Sequence, residues 1–219
     1  MNKNSFPSED KIKSLIRELL HYREINSCQS EFGILSYEDG HMLQMLIEIS
    51  GAKNALEIGT SIGVSGLWIS LGLLKTGGRL TTIELLPEHA RKARENFRKV
   101  GVENIITVLE GCALGIIPLL KEKFDFVFSD AYKKQNLDYF NLFINLVTDG
   151  GIIVAHDSIS EADNMHDYLE VVKNHRQFET VIIDTVGSRT GMVISYKKIN
   201  HDFAGKPNIG YSNYCLPTL

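Results

Sequence analysis

The sequence predicts an α/β fold: a mostly parallel sheet with helices on both faces and an antiparallel hairpin at one edge. Three observations support this prediction. Short apolar runs alternate with segments of helical period from residue 54 onward, which is typical of parallel strands joined by crossover helices. The last two apolar runs are separated by a Gly-containing turn, without a helix. Glycines and hydroxyl side chains follow the first strand directly, as in nucleotide-binding turns.

Two helices are predicted ahead of the first strand. Residues 8–28 place apolar side chains on one helical face, and Ser8 followed by two acidic residues suits a helix start. A second helix is predicted over residues 38–50. We expect these helices to form an N-terminal helical extension over residues 1–51.

The rest of the chain alternates regularly. Strands are predicted at 54–58, 79–84, 105–109, 124–130, 151–156, 178–184 and 192–197. Helices are predicted at 64–75, 87–100, 113–121, 135–147 and 161–175. Because the sequence shows no internal repeat and no low-complexity linker, residues 1–219 are predicted to be one domain. Its core would span residues 52–198, and residues 199–219 would form a C-terminal tail.

The composition excludes several classes of function. The 219 residues carry a net charge of −4, which gives no general attraction to nucleic acid or to anionic membranes. No apolar run approaches the roughly 18 residues that span a bilayer, and the first residues lack a signal-peptide core. The three cysteines match no zinc spacing. We therefore expect a cytoplasmic protein that binds neither nucleic acid nor membrane.

Residues 55–66, ALEIGTSIGVSG, are the most informative segment. Their glycine spacing does not fit a dinucleotide fingerprint, which argues against an NAD-dependent oxidoreductase. Glu57 at the predicted strand end suits a ligand that carries an ammonium group, such as S-adenosylmethionine (SAM). An ordinary strand-to-helix turn is the alternative. Hydroxyl side chains line the same loop: Thr60, Ser61 and Ser65.

Other predicted strand ends also carry acidic residues, and ligands of such folds bind beyond those ends. Glu84 follows Gly59 by about 25 residues, near the position where an acid binds ribose hydroxyls. A helix cap or a surface acid is the alternative interpretation of Glu84. Asp130 and Asp157 end strands that we expect to be neighbours, so their carboxylates could share a hard cation, and Mg²⁺ is the ion we expect.

Two basic residues stand close to this acidic pair in the sequence. Lys133 could act as a general base, since a neighbouring dication would lower its pKa, or it could be a solvated loop lysine. His156 could serve as a base or a ligand, although a structural role is the more common one for a histidine at a strand end. A site without a metal is the alternative interpretation of the two acids, in which one caps a helix while the other binds the cofactor.

With these positions in place, the chain resembles the cation-dependent O-methyltransferases of the caffeoyl-CoA and catechol type. The resemblance covers about residues 30–198. It rests on the segments 56–65 with Leu67-Trp68, 80–84, 90–97, 124–131 with Lys133, and 150–157. It implies a class I methyltransferase with a Rossmann-like sheet, SAM as the cofactor, a small-molecule acceptor and a homodimer.

The resemblance also implies roles for individual residues. Glu84 would bind the ribose of SAM, Ala113 would lie against the adenine, and Lys133 and Asp130 would be catalytic. Asp130, Asp157 and Ser158 would hold the metal. The full set expected to bind the cofactor is Leu35, Glu57, Gly59, Thr60, Ser61, Gly63, Ser65, Glu84, Cys112, Ala113 and Asp130.

Three positions depart from the family pattern. Ser158 stands where the metal site usually has Asn, Cys112 stands where an acid often meets the adenine amine, and Tyr132 replaces an Asp before Lys133. We expect an enzyme that methylates a hydroxyl of a small, phenolic or catechol-like acceptor with the help of a divalent metal. The alternatives are a metal-independent or sugar-directed methyltransferase, which the His156-Asp157 pair also resembles, and a non-catalytic regulator that binds the cofactor.

Overall fold

The computed structural model of the protein describes residues 7–25, 35–185 and 189–199. Seven strands form one sheet in the order β3-β2-β1-β4-β5-β7-β6. The strands are β1 (Asn54–Ile58), β2 (Arg79–Glu84), β3 (Ile106–Glu110), β4 (Phe124–Ser129), β5 (Val147–His156), β6 (Phe178–Ile183) and β7 (Met192–Lys197). Strands β1 to β5 pair in parallel, and β7 lies antiparallel between β5 and β6. The predicted α/β sheet with its antiparallel edge hairpin is confirmed.

Helices cover both faces of the sheet. They are α1 (Glu9–Ile25), α2 (Tyr37–Ser50), α3 (Val64–Thr76), α4 (Pro87–Val100), α5 (Ala113–Ile116), α6 (Asn136–Phe143) and α7 (His166–Asn174). Because successive side chains of a strand point to opposite faces of the sheet, β4 contributes side chains to two separate hydrophobic cores. Phe126 and Phe128 pack with α1 to α4, whereas Val127 packs with α5 to α7.

The N-terminal helices pack against the sheet-covering helices. Ile12 and Ile16 of α1 are fully buried in the first core, as the apolar stripe predicted. The start of α1 also matches the predicted helix start at Ser8, since the Ser8 hydroxyl accepts a hydrogen bond from the Lys11 amide at 3.2 Å. Residues 26–28 of the predicted first helix lie outside the described residues, as does the predicted tail from residue 200 onward. No helix within the described ranges is long and apolar enough to cross a bilayer.

Several element boundaries differ from the predictions. The predicted helix 113–121 ends at Ile116 and tightens into a 3₁₀ turn, Ile117–Leu119, because Pro118 has no amide hydrogen to donate. The predicted helix 161–175 begins as a 3₁₀ turn, Ala162–Met165, and becomes α-helical only at His166. Most other boundaries agree within one or two residues.

The largest difference concerns β5. It begins at Val147, whereas the sequence predicted a strand from residue 151 and assigned residue 147 to the preceding helix. Val147 pairs with Phe124 of β4, and the register shifts before Phe126 pairs with Ile152. Gly150 and Gly151 interrupt the apolar pattern here, so the sequence alone did not extend the strand back to residue 147. The shift does not affect the carboxyl ends of β4 and β5, where the candidate site lies.

Candidate active site

A cavity of about 790 Å³ opens at the carboxyl ends of the parallel strands. The strand order reverses at β1, because β2 and β3 lie on one side of it and β4 and β5 on the other. Ligands of such sheets bind at this point of reversal. The predicted site residues that line the cavity are Leu35, Gly59, Thr60, Ser61, Ser65, Glu84, Cys112, Ala113, Asp130, Lys133 and Asp157. Glu57, Gly63 and Ser158 are not among the lining residues.

The loop between β1 and α3 requires its glycines. Gly59 has a φ of 97°, and a Cβ at this position would lie 2.5 Å from the carbonyl oxygen of Asp130. Gly63, which precedes α3, has a φ of 92°. Ser61 also has a positive φ of 48°, which is uncommon for a residue with a side chain. The loop therefore turns tightly over the end of β1 and directs backbone N–H groups toward the end of β2.

Glu84 accepts hydrogen bonds from this loop. One carboxylate oxygen, Oε2, accepts from the backbone amides of Thr60 at 3.1 Å and Ser61 at 2.7 Å. The other oxygen, Oε1, accepts from the backbone amide of Leu86 at 2.9 Å. Glu84 thus fixes the loop that the sequence assigned to the cofactor, and it lines the same cavity. Its predicted contact with ribose stays a prediction.

Glu57 is fully buried beneath the loop. Its Oε2 accepts a hydrogen bond from the Thr82 hydroxyl at 2.6 Å, and the Ser65 hydroxyl also bonds to the carboxyl group. Its Oε1 is buried and has no hydrogen-bond partner. Burial raises the pKa of Glu57 to about 8, although the two hydroxyls partly oppose this effect. A buried carboxyl group with a spare acceptor atom is suited to a cationic ligand group.

Asp130 and Asp157 follow directly on β4 and β5, which are neighbours in the sheet. Lys133 connects them: its Nζ contacts Oδ1 of Asp130 and lies 2.8 Å from Oδ2 of Asp157. Burial disfavours the charged amine, but the two carboxylates outweigh burial and raise the pKa of Lys133. We predicted that a dication would lower this pKa, and the carboxylates by themselves have the opposite effect. The three side chains nevertheless converge on the cavity as the sequence predicted.

His156, the last residue of β5, occupies the centre of this cluster. Its Nδ1 lies 3.5 Å from Oδ1 of Asp130 and 3.2 Å from Oδ1 of Asp157. On the other side of the ring, Nε2 lies 3.2 Å from Oδ2 of Asp39 and 3.2 Å from the hydroxyl of Thr190. Burial disfavours the imidazolium, but the carboxylates prevail and raise the pKa of His156 to about 11. The sequence offered His156 only as a secondary candidate.

Asp39 is a site residue that the sequence analysis missed. It lies in the first turn of α2 and is fully buried. The Ser36 hydroxyl donates to it at 2.8 Å, and the Thr185 hydroxyl donates as well. Burial would raise the pKa of Asp39, but the bonds from His156 and the hydroxyls lower it to about 2. An acid in the first turn of a helix resembles an ordinary cap, so only its contact with His156 reveals it.

The donor set around this cluster fits a divalent cation. One ligand atom from each of Asp130, His156 and Asp157 lies within 4.8 Å of the other two. Carboxylate oxygens are donors for Mg²⁺ and Mn²⁺, and an imidazole nitrogen adds a donor suited to transition ions. Ser158, the third donor predicted from the sequence, has a buried hydroxyl with no hydrogen-bond partner. These residues are therefore able to hold a divalent cation.

This sheet order, with a glycine loop after β1 and acids at the ends of β1, β2 and β4, defines the class I methyltransferase fold. The family model described as O-methyltransferase matches residues 7–197. The chain therefore belongs to the O-methyltransferase family, and the predicted enzyme class, a SAM-dependent O-methyltransferase, is confirmed.

Known proteins agree with this assignment. A catechol O-methyltransferase of Niastella koreensis is 34% identical over 174 residues, which are 74% of this chain and 77% of the relative. The structure of an O-methyltransferase from Bacillus cereus in complex with SAH has a TM-score of 0.75 and 28% identity, and the match covers 84% of this chain and 91% of that chain. The O-methyltransferase TomG from Streptomyces achromogenes, in complex with SAM, has a TM-score of 0.74 and 25% identity over 88% of this chain and 92% of that chain.

Proposed function

We propose that the protein transfers the methyl group of SAM to a hydroxyl of a small phenolic, catechol-like acceptor, assisted by a divalent cation at Asp130 and Asp157. The convergence of these two carboxylates with the Lys133 amine, at the cavity that the glycine loop borders, carries this proposal. The catechol O-methyltransferase relative supports the class of acceptor. The cavity of about 790 Å³ leaves room for a cofactor and a small acceptor together.

Glu57 and Glu84 are the proposed anchors of the cofactor. Glu57 lies buried beneath the loop that borders the cavity, and its unpartnered Oε1 would accept the ammonium group of SAM. The Glu84 carboxylate lines the cavity and would meet the ribose hydroxyls. Cys112 and Ala113 line the part of the cavity proposed for adenine. When bound, SAM supplies an electrophilic methyl group on its sulfonium. The remaining task of the protein is to align the acceptor hydroxyl with that methyl group and to remove the hydroxyl proton.

Lys133 is the proposed general base. Its Nζ can take a proton only when it is neutral, and Asp130 and Asp157 both favour its charged form. Compensation of these two carboxylates is therefore a condition for Lys133 to act as a base. A divalent cation held by Asp130 and Asp157, with Ser158 as the third predicted donor, would supply that compensation and also lower the pKa of the acceptor hydroxyl.

The test is a methyl-transfer assay with SAM and catechol on chelator-treated protein, with and without added Mg²⁺ or Mn²⁺. We expect activity only with the metal, and an Asp157→Ala variant should lose at least 100-fold in kcat/KM. Asp149→Ala, near the opposite end of β5, is the matched control and should keep the wild-type rate. A full rate in excess chelator would reject the metal part of the proposal.

A metal-independent methyltransferase is the second candidate. Lys133 and His156 already place two positive groups between Asp130 and Asp157, so the carboxylates are not left uncompensated. In that case the methyl-transfer rate would be the same in excess chelator as with added metal. A panel containing both phenols and sugars would then separate phenol-directed from sugar-directed activity.

The association of the chain with a second copy of itself remains a proposal from the family resemblance. Sedimentation equilibrium of the full chain tests it directly, because a dimer doubles the apparent mass. A mass that stays at the monomer value up to high protein concentration would contradict the homodimer.

A further inference from the structure

The imidazole of His156 has the geometry of a metal ligand. Two ligand atoms that each lie about 2.1 Å from an ion, at right angles, are about 3 Å apart. Nδ1 of His156 lies 3.2 Å from Oδ1 of Asp157 and 3.5 Å from Oδ1 of Asp130, close to such a spacing. The three donors come from the ends of two adjacent strands, so the sheet itself fixes their mutual positions.

Asp39 sets the orientation of this ring. Its carboxylate lies at Nε2 of His156, and three hydroxyls hold the carboxylate in turn: those of Ser36, Thr185 and Thr190. A histidine that ligates a metal usually donates its other ring N–H to such a carboxylate, which fixes the tautomer and makes the ligand more basic. With a proton on Nε2 directed to Asp39, the lone pair of a neutral His156 ring lies on Nδ1 and faces Asp130 and Asp157.

Ser158 is less well placed for the role that the sequence gave it. Its side chain is buried and does not line the cavity, whereas His156, Asp130 and Asp157 all line it. Ser158 also donates its backbone amide to the Gly191 carbonyl at 3.1 Å, which ties it to the segment before β7. The protein ligand that faces the cavity beside the two carboxylates is therefore the imidazole.

We propose that Nδ1 of His156 is the third protein ligand of the cation, in place of Ser158, and that Asp39 is its positioning residue. The site would then be a mixed nitrogen and oxygen site, which favours Mn²⁺, Co²⁺ or Ni²⁺ over Mg²⁺ because imidazole suits transition ions. Binding replaces the proton on Nδ1, which leaves to solvent as the metal–nitrogen bond forms. This inference rests on the proposed metal-assisted function.

The first experiment is pulsed EPR of the Mn²⁺ complex of the wild-type protein, which detects imidazole nitrogen bound to the ion without any assay of activity. We expect nitrogen coupling in the wild type and none in His156→Asn. Calorimetry with Ni²⁺ and with Mg²⁺ follows on the same proteins. His156→Asn should weaken Ni²⁺ binding at least tenfold and leave Mg²⁺ binding within about threefold, because it exchanges a nitrogen ligand for an oxygen ligand.

Two further variants distinguish the loss of a metal ligand from a general loss of folded structure. Asp39→Asn keeps a hydrogen-bond acceptor but removes the charge, and it should weaken Ni²⁺ binding about 10- to 100-fold, the usual effect of losing such a partner. His166→Ala removes an exposed histidine at the start of α7 and should leave the affinity for both ions unchanged.

The outcomes separate the assignment of His156 as a ligand from the proposed metal-assisted function. Bound Mn²⁺ without nitrogen coupling in the wild type would overturn the role of His156, as would equal losses of Ni²⁺ and Mg²⁺ affinity in His156→Asn. If activity still requires a metal in that case, the proposed function stands and only the ligand assignment fails. Failure of every ion to bind would reject both.

Discussion

His156 and Asp39 lie 117 positions apart in the chain, yet their side chains meet in the interior with Nε2 and Oδ2 separated by 3.2 Å. The contact joins the end of β5 to the first turn of α2. It is buried on both sides, with side-chain exposures of 6% and 0%, so each charge partly offsets the cost of removing the other from water. The N-terminal helical extension therefore contributes a buried charge to the candidate active site.

Removal of the Lys133 amine should abolish most of the catalysis. We expect Lys133→Ala to lower kcat by about 10²- to 10⁴-fold, the usual contribution of a general base, with little change in the Kd of SAM. Lys134→Ala is the matched control, because this neighbouring lysine is exposed. Unchanged turnover of Lys133→Ala across the pH range would remove the proposed base.

The Glu57 carboxyl should control the affinity for SAM. Glu57→Gln keeps the size of the side chain but removes the charge that would pair with the ammonium group of SAM. Since an unpaired buried partner costs a few kcal/mol, we expect the Kd of SAM to rise about 10- to 100-fold. Calorimetry measures this directly, and Glu122→Gln, a partly exposed glutamate that does not line the cavity, should not change the Kd.

The same carboxyl makes the unfolding free energy depend on pH. Burial raises the pKa of Glu57 from 4.5 to about 8, so between these values the folded protein holds a proton that the unfolded chain has lost. The folded protein without cofactor should therefore lose stability as pH rises from 4.5 to about 8, by at most about 5 kcal/mol from this group. Urea unfolding of wild type and Glu57→Gln at both ends of this range measures it, and parallel pH profiles would contradict the raised pKa.

Gly59→Ala should destabilise the protein more than a comparable glycine change elsewhere. Both Gly59 and Gly77 have a positive φ, of 97° and 74°, so each substitution carries a backbone penalty of about 1–2 kcal/mol. Only at Gly59 does the new Cβ meet another group, the Asp130 carbonyl oxygen at 2.5 Å, whereas at Gly77 nothing lies within 4 Å. We expect an extra loss of about 1–3 kcal/mol in Gly59→Ala, together with reduced activity. Equal melting temperatures for the two variants would show that the loop yields without cost.

Tyr132 should act on the acceptor and not on the cofactor. Tyr132 is 61% exposed and lines the cavity next to Lys133, where a phenolic acceptor could stack on its ring. We expect Tyr132→Ala to raise the KM of catechol about 5- to 10-fold, as for the loss of one aromatic contact, and to leave the Kd of SAM unchanged. Tyr132→Phe keeps the ring and should behave as wild type. An unchanged KM in Tyr132→Ala would place the acceptor elsewhere in the cavity.

The sequence by itself predicted the fold class and eleven of the residues that line the cavity. Alternating strand and helix periods are local signals, and the carboxyl ends of parallel strands necessarily meet at one edge of the sheet. The predicted residues Asp130, Lys133 and Asp157 line the cavity for this reason, as do Glu84 and the loop after β1. Prediction failed at residues 147–150, which belong to β5 although Gly150 and Gly151 interrupt the apolar pattern of that strand.

The tertiary structure decided which ionisable side chains are in contact. Asp39 looked like a helix-cap acid, and His156 looked like a structural histidine, because nothing local in the sequence reports a contact between segments 117 positions apart. Burial is likewise a property of the whole fold: it raises the pKa of Glu57, and at His156 it opposes the protonated form that the neighbouring carboxylates stabilise. The sequence thus predicted where the candidate site lies, whereas burial and the contacts between distant segments decided its electrostatics.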